Sequence, residues 1–173
     1  MKLSVELNDR GFSLIEILLV ISLLVVILAV ATPNLFDPLA TEKLSRLTTD
    51  ITSLLKDAQT KSMSSETFGL GTTSEFGVHF TPTNYTLFRG TVFNPADSNN
   101  FTVSVPPGLA VAPSLPCPNG PNDCNNIVFA RLNGEVTSFD ENLNSICLAD
   151  NFNNTILLTT NFLGVIDAQA NGC

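Results

Sequence analysis

A run of twenty residues, from Phe12 to Ala31, is almost entirely apolar and contains a single carboxylate, Glu16. As an α-helix this run would be about 30 Å long, which matches the hydrocarbon core of a bilayer. Only Ser13, Glu16 and Ser22 interrupt it. An ionised Glu at the centre of a bilayer costs about 3 kcal/mol unless it finds a partner, so its presence indicates a function rather than simple packing.

Three kinds of N-terminal segment would explain this run. A cleaved signal peptide is suggested by Ala29-Val30-Ala31 ahead of Thr32, because small residues of the A-x-A type mark such cleavage sites. Against it, residues 1–10 carry almost no net positive charge, and the apolar stretch is long for a signal peptide. A plain signal anchor would have no use for Glu16.

The third explanation is based on Gly11, which stands directly before Phe12-Ser13-Leu14-Ile15-Glu16. This spacing closely resembles the prepilin motif of type IV pilins and type II secretion pseudopilins. The resemblance implies that a prepilin peptidase cleaves after Gly11 on the cytoplasmic side and that Phe12 is then N-methylated. Residues 1–11 would be a leader peptide, and residues 12–31 would form the transmembrane and filament-core helix. We favour this interpretation over the other two.

Cleavage after Gly11 would leave an amino group at Phe12 in apolar surroundings, and Glu16 could complement its charge. In a filament, the partner of Glu16 would be the Phe12 amine of a neighbouring subunit. Pairing lowers the cost of keeping both charges in lipid, and it can therefore select the register of assembly. The alternative is that Glu16 extends to the cytoplasmic interface and remains hydrated.

A kinked amphipathic stem is predicted for residues 32–66. Pro33 and Pro38 each remove a helical hydrogen bond, so a kink or a local break is expected there. After them, apolar residues recur at helical spacing and predict one buried helix face: Leu44, Leu47, Ile51, Leu54, Leu55 and Ala58. Gly69 and Gly71 follow the expected helix end near Ser64 or Ser65.

The remainder, residues 67–173, has the composition of β-structure, so the predicted fold class is α+β: a long N-terminal helix against a β-rich head of antiparallel sheets. Asn133-Gly134 favours a type I′ hairpin between residues 127–131 and 135–139. Other short runs rich in aromatic and β-branched residues predict further strands at 76–80, 85–88, 101–105, 155–159 and 164–166.

The order of these elements, with "IVFARLNGEVTSF" at 127–139 and "ILLTTNFLGVI" at 156–166, resembles the GspH/FimT-type minor pilins. That resemblance implies a head of two sheets packed on the C-terminal half of the helix, and a subunit of low abundance near a filament tip. Some members of the family take up DNA through basic residues near the C-terminus. Here residues 165–173 contain no Lys or Arg, so that role is not carried over.

The net charge of −8 restricts the partners that the chain can attract. Beyond Ser62 the basic residues are Arg89 and Arg131, against nine acidic ones. A domain this acidic repels phosphate backbones, which makes nucleic acid an unlikely partner class.

Four cysteines, Cys117, Cys124, Cys147 and Cys173, all lie in the C-terminal third. With one histidine and no CxxC pair, a zinc site is poorly supported. An even number of cysteines in an extracytoplasmic domain favours two disulfides. We favour Cys117 with Cys124 and Cys147 with Cys173, although the sequence permits three pairings.

No catalytic residues are predicted. His79 is the single histidine and lies in a predicted strand, where packing explains it better than general-base catalysis. The chain has neither a nucleophile elbow nor a glycine-rich phosphate loop. No cofactor is predicted, and calcium is the alternative, because residues 97–100, 140–142 and 150–154 offer oxygen ligands but are also typical of turns.

The sequence therefore predicts a non-enzymatic subunit of a type IV pilus or type II secretion pseudopilus. Its expected partners are other pilin subunits, the prepilin peptidase, the inner-membrane assembly platform and membrane lipid. Before assembly it would span the bacterial inner membrane once, with a cytoplasmic N-terminus and an extracytoplasmic head. A major pilin, or a tethered or secreted β-domain that binds a ligand, remains as an alternative. Secretion, motility, adhesion and DNA uptake are not distinguished.

Overall fold

The computed structural model describes residues 13–31, 37–64, 74–118 and 124–173. The chain divides into two compact units, Met1–Leu39 and Ala40–Cys173, and each is described separately below. The expected break at Pro33 and the glycines at 69 and 71 lie outside the described residues.

Two helices occur in the described N-terminal part of the chain. α1 spans Leu14–Ala31 and α2 spans Asp37–Met63. Asp37 and Pro38 open α2, and both residue types are favoured in a first helical turn, where backbone N–H groups have no helical partner. α2 ends within two residues of the predicted position, so this boundary is confirmed.

One face of α2 forms the centre of the hydrophobic core in the second unit. The predicted apolar stripe is buried at Leu44, Leu47, Ile51, Leu55 and Ala58, each at most 1% exposed. These residues belong to a single core cluster with side chains from both sheets. The prediction that this apolar face of α2 packs in the core is therefore confirmed.

The first sheet consists of the strands β1 (Phe76–Phe80), β2 (Asn84–Arg89), β3 (Phe101–Ser104) and β5 (Asn126–Phe129). All its strand pairs are antiparallel, in the order β3-β2-β1-β5. Side chains of β1 and β2 pack into the core, among them Val78, Phe80 and Tyr85. Ser62 Oγ on α2 accepts a hydrogen bond of 2.9 Å from the Phe76 N–H.

The second sheet contributes to the same core. Its strands are β4 (Leu109–Ser114), β6 (Ser145–Asp150), β7 (Thr155–Thr160) and β8 (Ile166–Ala170). It is also antiparallel, in the order β4-β6-β7-β8. Val111, Ile146, Leu148 and Leu158 are its most buried residues, none more than 1% exposed. Two helices and two antiparallel sheets confirm the α+β class.

The chain reversal predicted around Asn133-Gly134 is present, but its predicted turn type is wrong. A type I′ turn needs positive φ at both central residues, whereas positive φ occurs here at Leu132 (76°) and Gly134 (70°).

Antiparallel pairing continues beyond the turn. The Ala130 N–H donates to the Glu135 carbonyl at 2.7 Å, and the Thr137 N–H donates to the Val128 carbonyl at 2.9 Å. The predicted second strand is reduced to a bridge between Val136 and Phe129. β5 also pairs with β1.

Contacts with the end of α2 hold the loop of this reversal. The Leu132 N–H donates to the Ser62 carbonyl at 3.2 Å. Gln59 Nε2 donates to the Gly134 carbonyl at 2.9 Å and to the Leu163 carbonyl at 3.0 Å. The loop therefore bonds to a distant helix in addition to its local pairing.

Two strands, β4 and β6, were not predicted, and β8 was placed too early. β4 contains Pro113 and two alanines, which are weak strand formers, so only its pairing with β6 defines it. β8 begins at Ile166, the residue at which the predicted strand 164–166 was expected to end. It pairs with β7 through residues 166–170, so the acidic C-terminal segment is part of the sheet.

Replacing Leu55 by Ala should lower the free energy of unfolding by about 2–5 kcal/mol, because Leu55 is 0% exposed and its truncation leaves a cavity between α2 and the sheets. Chemical denaturation of the full chain, followed by circular dichroism, measures this. Lys56→Ala, on the exposed side of the same helix turn, is the matched control and should change stability by less than about 0.5 kcal/mol. Equal effects of the two substitutions would contradict the assigned core face.

Tyr85 makes stability depend on alkaline pH. Burial, and then the negative charge of Asp50, raise the pKa of this tyrosine above its ordinary value of 10.0. Because the folded state holds the phenolic proton more tightly, the stabilisation is complete below pH 10.0 and is lost as pH rises through the folded pKa.

We expect Tyr85→Phe to flatten this alkaline loss of stability relative to the unsubstituted chain. Other groups that titrate in the same range are common to both proteins and cancel in the comparison. Tyr85 is the only tyrosine in the chain, so tyrosinate absorbance follows its ionisation directly. A midpoint at or below pH 10.0 in the folded protein would refute the raised pKa.

Candidate functional site

α1 presents large apolar side chains on every face. Thirteen of its described residues are large hydrophobics, with exposures between 52% at Ile17 or Leu24 and 81% at Leu14. A helix that is apolar all round belongs in a protein core or a membrane rather than in water. Full burial of one such side chain stabilises a protein by about 1.5–3 kcal/mol. Transfer of all thirteen partly exposed side chains out of water would therefore contribute a favourable free energy on the order of 20 kcal/mol.

Glu16 lies in the first turn of α1 and is its only charged residue. Its backbone N–H donates to the Ser13 carbonyl at 3.0 Å, and its side chain is exposed. A negative charge in the first turn is favourable because it faces the positive end of the helix dipole. Among the described residues it makes no ion pair, so its carboxylate is available for a cation from elsewhere.

Gly11 and Phe12, the predicted cleavage and methylation positions, lie outside the described residues. The other polar side chain in α1, Ser22, donates its hydroxyl to the Leu19 carbonyl at 2.8 Å and is thereby satisfied within the helix. Glu16 is thus the one described polar side chain of α1 that needs a partner from outside the helix.

In the ranges that the structure describes, no helix meets the combined requirement of length and apolarity for crossing a membrane.

Two disulfides bind the head. Cys117 is joined to Cys124, with Cα atoms 4.1 Å apart, and Cys147 to Cys173, with Cα atoms 5.9 Å apart. These are the pairings favoured from the sequence. The second bond spans from β6 past β7 to the residue that ends the chain, and it therefore fixes β8 against the sheet. Disulfides of this kind persist in oxidising compartments.

Removing the Cys147–Cys173 bond should cost more stability than removing Cys117–Cys124. Their sequence separations are 26 and 7, and loop-closure entropy grows with the logarithm of loop length, giving a difference of about 1 kcal/mol. Denaturation of the two paired Cys→Ala variants measures this. A larger loss for the shorter loop would show that chain entropy does not dominate.

His79 is used in packing. Its Nδ1 donates to Asn126 Oδ1 at 2.7 Å, and its ring stacks on Phe93 at a centroid distance of 4.1 Å. Asn126 is 7% exposed, so the pair is held in a largely dry position on the face of the first sheet away from α2.

A cavity of about 270 Å³ lies beside β5. Glu75 lines it, and its Oε2 is buried with no hydrogen-bond partner among the described residues. No sequence signal marked this feature, because its lining comes from six separate stretches of chain, at 75, 91, 115–118, 126–128, 136–144 and 160. It combines an apolar floor with a polar rim: Leu115, Ile127, Val128, Val136, Phe139 and Leu143, with Thr91, Asn126, Thr137, Ser138, Asn144 and Thr160.

The three Asp/Asn clusters cap their own loops. Asp97, Asp140 and Asp150 each accept a backbone N–H two residues ahead, at 2.8–2.9 Å. Within the described ranges no three His, Cys, Asp or Glu side chains come together as a metal site.

At Asp150 partial desolvation acts to raise the carboxyl pKa, but hydrogen bonds from the Asn154 amide, the Asn154 backbone and the Phe152 backbone outweigh it and lower the pKa. By accepting these hydrogen bonds, the Asp150 carboxylate stabilises the turn between β6 and β7.

The profile of the prokaryotic N-terminal methylation motif matches residues 7–32. This match supports the pilin and pseudopilin family and coincides with the segment that contains Glu16. No curated protein and no solved structure matches the chain.

Proposed function

We propose that this chain is a minor pilin or pseudopilin: a structural subunit that is cleaved after Gly11, methylated at Phe12 and assembled through its N-terminal helix. The observation that carries the proposal is α1, an exposed helix that is apolar on every side and has one carboxylate, in its first turn. It coincides with the matched methylation motif. The GspH/FimT type is favoured by the two-sheet head on α2.

Free energies of transfer favour a membrane location before assembly. Burying the side chains of α1 offers on the order of 20 kcal/mol. A carboxylate at the bilayer centre costs about 3 kcal/mol, and less near an interface, where the first turn would lie. The favourable free energy of transferring the apolar side chains into lipid therefore exceeds the cost of transferring the Glu16 carboxylate. We propose an inner-membrane subunit with an extracytoplasmic head, which agrees with its two disulfides.

Assembly would then depend on what satisfies Glu16. In a bundle of α1 helices, lipid contacts give way to helix contacts, and an unpaired carboxylate among them is costly. A methylated Phe12 amine on a neighbouring subunit would remove that cost. The prepilin peptidase would generate this amine, and the inner-membrane platform would bring the subunits together.

The head is proposed to have no enzymatic activity. His79 is bound to Asn126 and Phe93, and the cavity lining contains neither histidine nor cysteine. The one observation that favours a second candidate, a tethered ligand-binding domain, is the cavity with its unpaired Glu75 oxygen.

Glu16→Gln should abolish incorporation into filaments while leaving the chain in the membrane fraction, because it keeps the shape of the side chain and removes its charge. Filaments sheared from cells and the membrane pellet are compared by immunoblot. Ser22→Ala, which removes the other polar group that α1 satisfies internally, is the matched control and should assemble normally. Normal assembly of Glu16→Gln would mean that Glu16 only reaches the interface.

The intact mass and N-terminal peptide of the native protein test processing independently. A chain that starts at N-methylated Phe12 supports the proposal. A chain that starts at Thr32 would identify a cleaved signal peptide, and one that starts at Met1 a signal anchor. Either of these results would overturn it.

A further inference from the structure

Residues of both sheets line the cavity beside β5. Ile127 and Val128 belong to β5 of the first sheet, whereas residues 115–118 follow β4 of the second sheet. Thr160, the last residue of β7, also lines it. We call this space the Glu75 cavity, after the residue that contributes its carboxylate.

The Glu75 cavity is large enough for an organic molecule. Its volume is about 270 Å³. A dry protein cavity of about 150 Å³ holds a benzene molecule, so the Glu75 cavity has room for an aromatic ring with a short side chain. Three of its lining residues, Thr91, Pro118 and Leu143, are exposed, so the cavity reaches the protein surface.

Glu75 brings an unsatisfied carboxylate oxygen to this cavity. Its Oε2 is buried and accepts no hydrogen bond from a described residue. The Glu75 carbonyl accepts a hydrogen bond from the Gly90 N–H at 2.8 Å, which fixes the backbone from which the side chain extends. Buried polar atoms normally have a partner, and a buried charge without one is costly. The carboxylate therefore requires a hydrogen-bond donor that the described residues do not supply.

The charge of the head selects the kind of donor. Beyond Ser62 the chain has two basic and nine acidic residues, so it repels anions and attracts cations. A neutral hydroxyl group would satisfy the hydrogen bond but would leave the charge of Glu75 uncompensated. An ammonium group does both, and its three N–H donors suit a carboxylate beside the hydroxyl and amide groups of the rim.

The remaining lining favours a ligand with an apolar body. Leu115, Ile127 and Val136 line the cavity, and each is at most 8% exposed. Phe139 adds an aromatic ring that packs against the core. A ring or an alkyl chain placed against these side chains would leave water, which is favourable.

We infer that the Glu75 cavity binds an organic ammonium ion, with the ammonium group at the Glu75 carboxylate and the apolar body against β5. The ion would be a free amine or the lysine side chain of a polypeptide, which share this chemistry. The head would then have a binding function in addition to its proposed structural one. This inference does not depend on how α1 is used.

The Cys117–Cys124 disulfide ties together two parts of the cavity wall. Cys117 stands between the lining residues Pro116 and Pro118, and Cys124 is two residues before Asn126, which also lines the cavity. The bond therefore connects the stretch after β4 to the start of β5. The other disulfide, Cys147–Cys173, joins residues that are at least three positions from any lining residue.

Titration of the full-length chain in dodecyl maltoside micelles with 2-phenylethylamine tests the inference. This amine is protonated at pH 7, and the methyl resonances of Ile127 and Val128 report binding at the cavity. 2-Phenylethanol has the same ring and chain without the charge, and 3-phenylpropionate has the opposite charge. We expect the amine to bind at least tenfold more tightly than the alcohol, and the anion not to bind. Equal binding of amine and alcohol, or no shift of these resonances, would overturn the inference.

Glu75→Gln keeps the shape of the side chain and removes its charge. It should weaken binding of the amine at least tenfold and change binding of the alcohol less than twofold. Glu141→Gln is the matched control, because Glu141 is exposed and lies between Phe139 and Leu143 but does not itself line the cavity. It should change binding of the amine less than twofold. Equal losses in the two variants would show that the amine responds to overall charge, and the inference would fail.

The disulfides give a second test that leaves Glu75 unchanged. Replacing Cys117 and Cys124 together by Ala should weaken binding of both the amine and the alcohol at least threefold, because the cavity wall is no longer tied. The same replacement at Cys147 and Cys173, the pair expected to cost more stability, should change binding less than twofold. An equal or larger effect of the second pair would show that affinity follows stability, and it would overturn the assigned site.

The same titration with Nα-acetyl-lysine methylamide identifies the source of the ammonium group. This compound presents the lysine side chain as a polypeptide does. If it binds as tightly as 2-phenylethylamine, the inference holds with a polypeptide as the source. If it binds at least tenfold more weakly, the inference holds with a free amine as the source.

Discussion

The packing of one α2 face against side chains from both sheets is the interaction on which the head depends. Leu47, Ile51 and Leu55 are almost fully buried, and side chains from both sheets belong to the same cluster. Because the sheets share this helix face, α2 is required for either sheet to have a core. The end of α2 also determines the loop path after β5, through Ser62 and Gln59.

The two helices differ in how much of their surface water can solvate. α2 buries one apolar face and exposes its charged faces to water. An exposed ion pair there, such as Glu42–Arg46, adds little stability. α1 has no polar face at all, so it needs lipid or other helices around it. A single carboxylate in such a helix is tolerated only if it is near an interface or has a partner. Because a neighbouring subunit could supply that partner, we propose that the Glu16 of the motif takes part in assembly.

The sequence alone determined the features that local periodicity or a compact motif encodes. These are the apolar α1 with Glu16, the buried stripe of α2, the strands β1 and β2, and the α+β class. Only the tertiary structure decided that the loop at 131–134 bonds to the end of α2, that β4 is a strand, and that separate stretches of chain line the cavity beside β5. The physical reason is that these features arise from contacts between residues distant in sequence, whose energies outweigh local propensity and leave no local pattern.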